Sequence, residues 1–429
     1  MPSKSAFLVA ALVATLLALA PAAADASVNS ALSGLQQAGQ LDAAQVAGAN
    51  KTYRAARSLR RRASADRRKP LASQIGLIES LARGGRLTAD RVRPLFTQLQ
   101  VNVDWFRSNG PAKAGQRSRF GRTSRIYYQY FSGLGWQFHP LANFAKLNAI
   151  WTDKSPAARR ALAKYAAELI GFGVVRGGAL TWEYYFPFAG SKAPFISSIS
   201  QGTAIQSLAR SGAALADPAI SEAAARGAKA FSLAAPTGLR ISRDGGDHFL
   251  GYSGNRRAIV FNMFAQALSG LHDYAKITGD EEAQAQFERG LTAARAELPR
   301  SDTGAWSLYK EDGAESSLHY HQVLVGFLAE LCADSGNEAI FCELQARLAS
   351  YEKQPPKLVE LKKTVRRGRI RVSFTLSKIS RVTLSTPGGE SRTLTVGRGK
   401  RAFSIKKARS RSVTIIARDL AGNTVEARR

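Results

Sequence analysis

Apolar positions recur at helical spacing through much of the chain before residue 355 and at every second position near its end. Residues 41–63 and 69–85 place apolar side chains three and four apart with basic side chains opposite, which predicts amphipathic helices. Ser155-Pro156 opens a third, because serine caps a helix N-terminus and proline suits its first turn. Residues 199–215 and 220–233 follow with the same period. Residues 257–280 are apolar on nearly every side and predict an inner helix, 280–298 are amphipathic and predict an outer one, and 319–334 predict an inner one again. Helices that alternate inner and outer predict a mainly α chain built as an α/α toroid, an incomplete α/α barrel whose inner ring surrounds a cleft. Residues 180–196 predict a hairpin. From residue 369 the period becomes two, over 369–377, 381–386, 391–397, 401–407 and 412–420, with turns at Pro387-Gly388-Gly389 and Gly397. That pattern predicts a small all-β sandwich.

Breaks at Asn109-Gly110-Pro111 and Pro355-Pro356 divide the 429 residues. The expected parts are a signal peptide (1–26), a basic helical region (27–110), the toroid (111–354) and a basic β-sandwich (355–429). Lys4, the apolar run 6–20 and Ala24-Asp25-Ala26 have the form of a secretory signal, so cleavage near Ala26 and a secreted or envelope-associated protein are expected. Asp419-Leu420-Ala421-Gly422-Asn423 resembles the closing motif of bacterial immunoglobulin-like repeats.

Charge sharpens this division. The formal net charge is +29. Residues 27–128 carry 19 basic and 5 acidic side chains, residues 357–429 carry 20 and 4, and residues 129–356 carry 21 and 22. Two basic ends around a near-neutral middle suit polyanions such as an acidic polysaccharide or an anionic cell-envelope polymer. Export makes nucleic acid the poorest candidate. The plain alternative is an ordinary solvated surface rich in arginine. Cys332 and Cys342 are the two cysteines, and Ser335-Gly336-Asn337 between them is a turn signal. Export permits a disulfide, which is the favoured reading; two buried thiols are the other, and the spacing does not suit zinc.

Residues 298–321, LPRSDTGAWSLYKEDGAESSLHYH, hold the densest candidate chemistry. Pro299 and Gly304 break the chain and put Tyr309 and His319-Tyr320-His321 on loops or at element ends. A phenol gives or takes a proton, and its ring can lie against a sugar face. Asp302-Thr303-Gly304 reads as an Asx turn. His319 and His321 lack a third ligand at metal spacing, so no metal is expected. His139 before Pro140 is a candidate cleft residue. Trp136 is a candidate sugar-stacking residue, although burial is the commoner fate of tryptophan.

Four blocks resemble the C-terminal domain of D-glucuronyl C5-epimerases: GWQFHPLANFAKLNAIW (135–151), ISSISQGTAIQSLAR (196–210), IVFNMFAQALSGLHDY (259–274) and LPRSDTGAWSLY followed by HYH (298–321). The resemblance implies inversion at C5 of a uronic acid within a polysaccharide, by proton removal α to the carboxylate and return to the opposite face, without a cofactor. It implies catalytic roles for Tyr309 and Tyr320, and for Tyr252, which stands in the family's Glu-Glu-Tyr-Pro segment. Here Leu250 and Gly251 replace the two glutamates, one of them regarded as catalytic, and Ser253 replaces the proline. Nearby His248 is a candidate replacement base, and Arg256 and Arg257 are candidate carboxylate ligands. Gln201, Asn262 and His321 are further expected substrate contacts. Relatives often form homodimers. A polysaccharide lyase shares the first proton abstraction, and a non-catalytic acidic-glycan or wall-binding protein is the reading from outside enzymology.

Overall fold

The computed structural model describes residues 27–407 and 412–429; the expected signal segment, 1–26, lies outside the described residues. Four helices come first: α1 (Val28–Gln37), α2 (Ala43–Arg62), α3 (Ala65–Arg83) and α4 (Ala89–Ser108). A three-stranded antiparallel sheet follows, of β1 (Arg117–Arg119), β2 (Tyr127–Phe131) and β3 (Gly135–Phe138). Four pairs of helices come next. They are α5 (Pro140–Thr152) and α6 (Pro156–Ile170), α7 (Ser198–Leu215) and α8 (Pro218–Ala228), α9 (Phe261–Thr278) and α10 (Glu281–Glu297), and α11 (Leu318–Asp334) and α12 (Ala339–Ser350). The hairpins β4 (Val174–Arg176)–β5 (Ala179–Thr181) and β6 (Arg240–Arg243)–β7 (Gly246–Phe249) interrupt them.

The first helix of each pair packs on the first helix of the next, so α5, α7, α9 and α11 form one row, and α6, α8, α10 and α12 each back their own partner. Local chemistry sets the starts. Ser155 accepts from the Ala158 N–H at 3.2 Å, Asp217 and Asp280 cap α8 and α10, and Ser317 caps α11. α7 and α9 approach closely where Gly202 and Gly270 meet. A Cβ on Gly270 would fall 2.7 Å from the Gly202 Cα, so neither position has room for a side chain. The N-terminal helices share the same hydrophobic core as the paired helices, from Leu71 and Leu99 through Trp136 and Leu268 to Leu348. Cys332, in the last turn of α11, is disulfide-bonded to Cys342 in α12.

The C-terminal strands are β8 (Leu358–Arg366), β9 (Arg369–Leu376), β10 (Ser380–Ser385), β11 (Ser391–Val396), β12 (Gly399–Lys406), β13 (Thr414–Asp419) and β14 (Thr424–Arg428). They make two antiparallel sheets, β12-β9-β8 and β11-β10-β13-β14, around a shared core of Ile370, Val372, Phe374, Leu384, Ile405 and Ile415. This unit is fastened beside the helices. The Lys378 ammonium is buried, bonds the Tyr351 and Gln354 carbonyls and pairs with Asp419 at 2.7 Å, while both Glu315 oxygens accept backbone N–H groups, of Ile379 at 2.8 Å and Arg398 at 2.7 Å. The alternation did not reveal β8, because that strand exposes residues on both faces. Nor was α12 foreseen, since the turn before it dominated the reading of 333–341.

Candidate active site

One face of the inner helices opens on a cleft of about 650 Å³. On α7 that face is Ile199, Thr203, Gln206 and Arg210, three and four residues apart; α9 adds Asn262 and Gln266, and α11 adds Tyr320, Val323, Phe327 and Glu330. Phe131, Tyr184, Phe186 and Phe195 close another side. The Tyr184 and Phe195 rings stack at 5.1 Å, and Phe131 lies 4.5 Å from Phe186.

Tyr252, Tyr309 and Tyr320 meet on one wall. The Tyr309 and Tyr320 rings are 4.7 Å apart, and the Tyr252 and Tyr309 phenols lie close enough to shift each other's ionisation. Tyr309 sits on a hairpin turn. Its N–H donates to the Ala314 carbonyl at 2.7 Å and its own carbonyl accepts from Phe261 at the start of α9. Tyr320 lies in the first turn of α11, its N–H capped by the Ser317 hydroxyl at 3.3 Å. Burial, followed by the neighbouring Tyr309, pushes the Tyr252 phenol well above its ordinary range. Burial also raises Tyr309, but the neighbouring Tyr252 opposes the rise. The cleft therefore holds two neutral phenols, of which Tyr309 is the easier to ionise.

His139 caps α5: its Nδ1 accepts from the Ala142 N–H at 3.1 Å, and its ring stacks on Phe131. Burial, reinforced by the Arg117 charge, lowers it to about 4, so the ring is neutral near pH 7. Arg117 donates Nε–H to Gln129 at 2.9 Å and meets no carboxylate among the described residues. Arg210 is tied to Asp273 and lies 4.8 Å over the Trp151 ring. Burial, then Asp334 and Asp273, raise the Glu330 carboxyl. Asn262 Oδ1 is buried without a hydrogen-bond partner, so the cleft wall keeps an acceptor unused. Among the described residues, no group of three or more His, Cys, Asp or Glu is placed to hold a metal ion.

The structure thus brings Tyr252, Tyr309, Tyr320, Asn262 and His139 to the cleft and leaves the other candidates away from it. His248 is wholly buried, its Nδ1 2.7 Å from Glu297 and its ring 4.3 Å from Phe264, so it is no replacement base in the cleft. Gln201 binds the Leu180 and Gly227 carbonyls at 2.8 and 2.9 Å, which takes up its amide N–H groups inside the fold. His321 bonds Ser307 and the Leu348 carbonyl and stacks on Trp306 at 3.8 Å. Arg256 turns away to the Ala235 carbonyl, and Arg257 is exposed outside the cleft. Trp136 is buried among Trp105, Phe120 and Tyr130. Asp302 forms an Asx turn with the Gly304 N–H at 2.8 Å.

Arg117, Gln129, Gln206, Arg210 and Glu330 were not anticipated. Thr203, Gln206 and Arg210 did carry a signal, polar residues recurring on one side of a largely buried helix. Arg117 carried none, because its segment reads as a polar linker.

The site is a cleft with three phenols and a set of aromatic rings in its lining. Residues 176–350 match the family described as the D-glucuronyl C5-epimerase C-terminus. All three tyrosines fall inside the match, whereas Arg117, Phe131 and His139 come from the preceding segment. No curated protein matches the chain. A solved structure of a UGL variant with dGlcA-Glc-Rha-Glc is 12% identical, covers 67% of this chain and 73% of its own, and has a TM-score of 0.36, too low a likeness to bear on the fold.

Proposed function

We propose that this chain is a secreted isomerase of the D-glucuronyl C5-epimerase type, acting on uronic acid residues within an acidic polysaccharide. The observation that carries the reading is the Tyr252–Tyr309–Tyr320 corner inside the cleft. The C5 hydrogen of a uronate is α to the carboxylate, so its removal leaves an enolate-like anion. Inversion needs two acid/base groups on opposite faces of the ring. Tyr309, once it has lost its own proton to solvent, takes the C5 proton while Tyr252 supports its phenolate. Tyr320 lies beside Tyr309 on the same wall and relays the proton to solvent, while the opposite face of the ring, turned to the open cleft, is reprotonated from solvent. Arg117 receives the carboxylate and stabilises charge as it builds, and Asn262 accepts from a sugar hydroxyl. One proton leaves C5, another is returned and no redox state changes, so the step calls for no cofactor.

In this reading the paired helices are an incomplete α/α toroid spanning 111–354, preceded by the basic helices of 27–110. The two C-terminal sheets are an immunoglobulin-like module. Export removes residues 1–26, leaving Ser27 to cap α1, where its hydroxyl accepts from the Ser30 N–H.

A departure from the family supports a second reading. Leu250 is wholly buried away from the cleft, and a Cβ on Gly251 would fall 2.5 Å from the Met263 sulfur, so the two positions that match the family's glutamates supply no acid/base group to the cleft. A lyase needs only the first abstraction, after which the carbanion expels the C4 oxygen. Incubation with glucuronate polymers in deuterated water separates the fates. Deuterium at C5 with iduronate signals supports the isomerase. Unsaturated ends assign a lyase. Binding without exchange leaves a glycan-binding protein.

A further inference from the structure

The C-terminal unit carries charge that its own fold does not use. Residues 357–429 hold 20 Lys and Arg against 4 Asp and Glu. All four acids are engaged elsewhere. Asp419 pairs with Lys378, Glu426 with Arg428, Glu360 accepts from the Thr375 hydroxyl, and Glu390 accepts from the Lys406 backbone N–H. Across the sheet β12-β9-β8, Arg366 stands opposite Arg369, and Arg369 opposite Lys406. Residues directly opposite in an antiparallel pair share a face, so one row of cations crosses three strands. Arg371, Lys362 and Lys400 extend it along the sheet, while Ile370, Val372 and Phe374 point the other way into the core. Arg369 leans over Ser404, whose carbonyl also receives Arg392.

Like charges directly opposite one another weaken a sheet. Edge strands often carry cations to block pairing with other chains, which accounts for β8 and β12. It does not account for Arg369 and Arg371, which lie on the central strand β9. We infer that this outer face is a docking surface for an acidic polysaccharide, binding a stretch of chain beyond what the cleft holds. The inference rests on the acidic-glycan reading of the cleft and adds a second point of attachment to it. Guanidinium groups match carboxylate or sulfate oxygens in two-point contacts. No aromatic side chain stands with these cations, which removes the stacking platform of a single-stranded nucleic-acid site and the apolar wedge of a lipid-surface site.

The test uses the chain from Ser27 onward and a combined variant, Arg366→Ser, Arg369→Ser, Arg371→Ser and Lys406→Ser. Calorimetry measures binding of a long unsulfated glucuronate polymer and of a tetrasaccharide of the same repeat. The variant should bind the polymer roughly tenfold or more weakly, as when one of two linked contacts is lost. It should bind the tetrasaccharide as before and melt no lower than the parent, since a like-charge row has been removed. Lysine at positions 366, 369 and 371 should restore most of the polymer affinity. Unchanged polymer binding overturns the inference. So does a weakening that comes with a lower melting temperature and is not rescued by lysine, or a face that binds phosphatidylglycerol vesicles and no glycan. Absence of C5 exchange defeats the isomerase reading without touching this comparison, whereas loss of tetrasaccharide and polymer binding alike defeats both.

Discussion

Tyr320 and His321 are neighbours in sequence and opposites in the fold. Tyr320 is 42% exposed at the cleft, and His321 is wholly buried against Ser307, Leu348 and Trp306. A helix turns about 100° per residue, so adjacent side chains point to different neighbours; here one reaches the cleft and the other reaches α12. The same contrast separates Tyr252 from His248, four residues upstream. Tyr252 lines the cleft, and His248 is closed in with Glu297. Both histidines are the residue type most often used for proton transfer near neutral pH. His321 spends both ring nitrogens within the fold and His248 is closed in against Glu297 through Nδ1, while the phenols sit where a substrate can reach. Accessibility at a concave surface, rather than residue type, marks the site.

The strongest attempt to break this contrast is Tyr309→Phe. Loss of a positioned acid/base group lowers the rate by about 10²–10⁴-fold. C5 exchange should fall by that factor with the melting temperature nearly unchanged, and exchange at the parent rate would remove Tyr309 from the chemistry. Glu297→Ala probes the buried side. It leaves the buried His248 without its partner, while Arg243, 3.4 Å from the other Glu297 oxygen, keeps Asp244 and Glu311. Denaturant unfolding should show a loss of about 3–5 kcal/mol, and a stable protein with impaired exchange would instead return the His248 pair to the mechanism. His321→Ala should destabilise more mildly, by about 1–3 kcal/mol for each polar group left unsatisfied, with the tetrasaccharide affinity retained.

His139 gives the smallest and most specific effect. Its folded pKa is about 4, against an ordinary value of 6.5, because burial and Arg117 disfavour the cation. Between those values the unfolded chain binds a proton that the folded chain does not. This contribution is therefore full above pH 6.5 and is lost as pH falls toward 4. Protonation at Nδ1 also removes the acceptor that caps α5. Asn caps helices without titrating, so His139→Asn should flatten stability measured across that window, and an unchanged slope would assign the pH dependence elsewhere.

Much of the architecture was legible in the chain. Ser155-Pro156 opens α6, Asp302 makes its turn, and alternation from Arg369 gives β9 and the core of the C-terminal unit. These are local effects, in which a cap, a turn side chain or a period of two acts within a few residues. The tyrosines were legible for a different reason, since their blocks resemble a family. Arg117 and the role of Gln129 were not, because a polar run at 112–125 has no pattern that tells a cleft wall from a linker. Gln201 was misplaced because an amide that binds a sugar and one that binds two carbonyls look alike in sequence.

The sequence by itself determined where most of the helices and several C-terminal strands begin, which faces are apolar, and the excess of cations at both ends. Those properties follow from hydrogen bonding and side-chain spacing along a short stretch of chain. Only the tertiary structure decided which polar groups remain available. It placed Glu297 against His248, Leu348 against His321 and Tyr252 against Tyr309, partners 49, 27 and 57 residues apart. It also set Arg366, Arg369 and Lys406 in a single row. Whether a polar group is satisfied or free depends on what packs against it, and that partner is brought by the fold from a distant part of the chain.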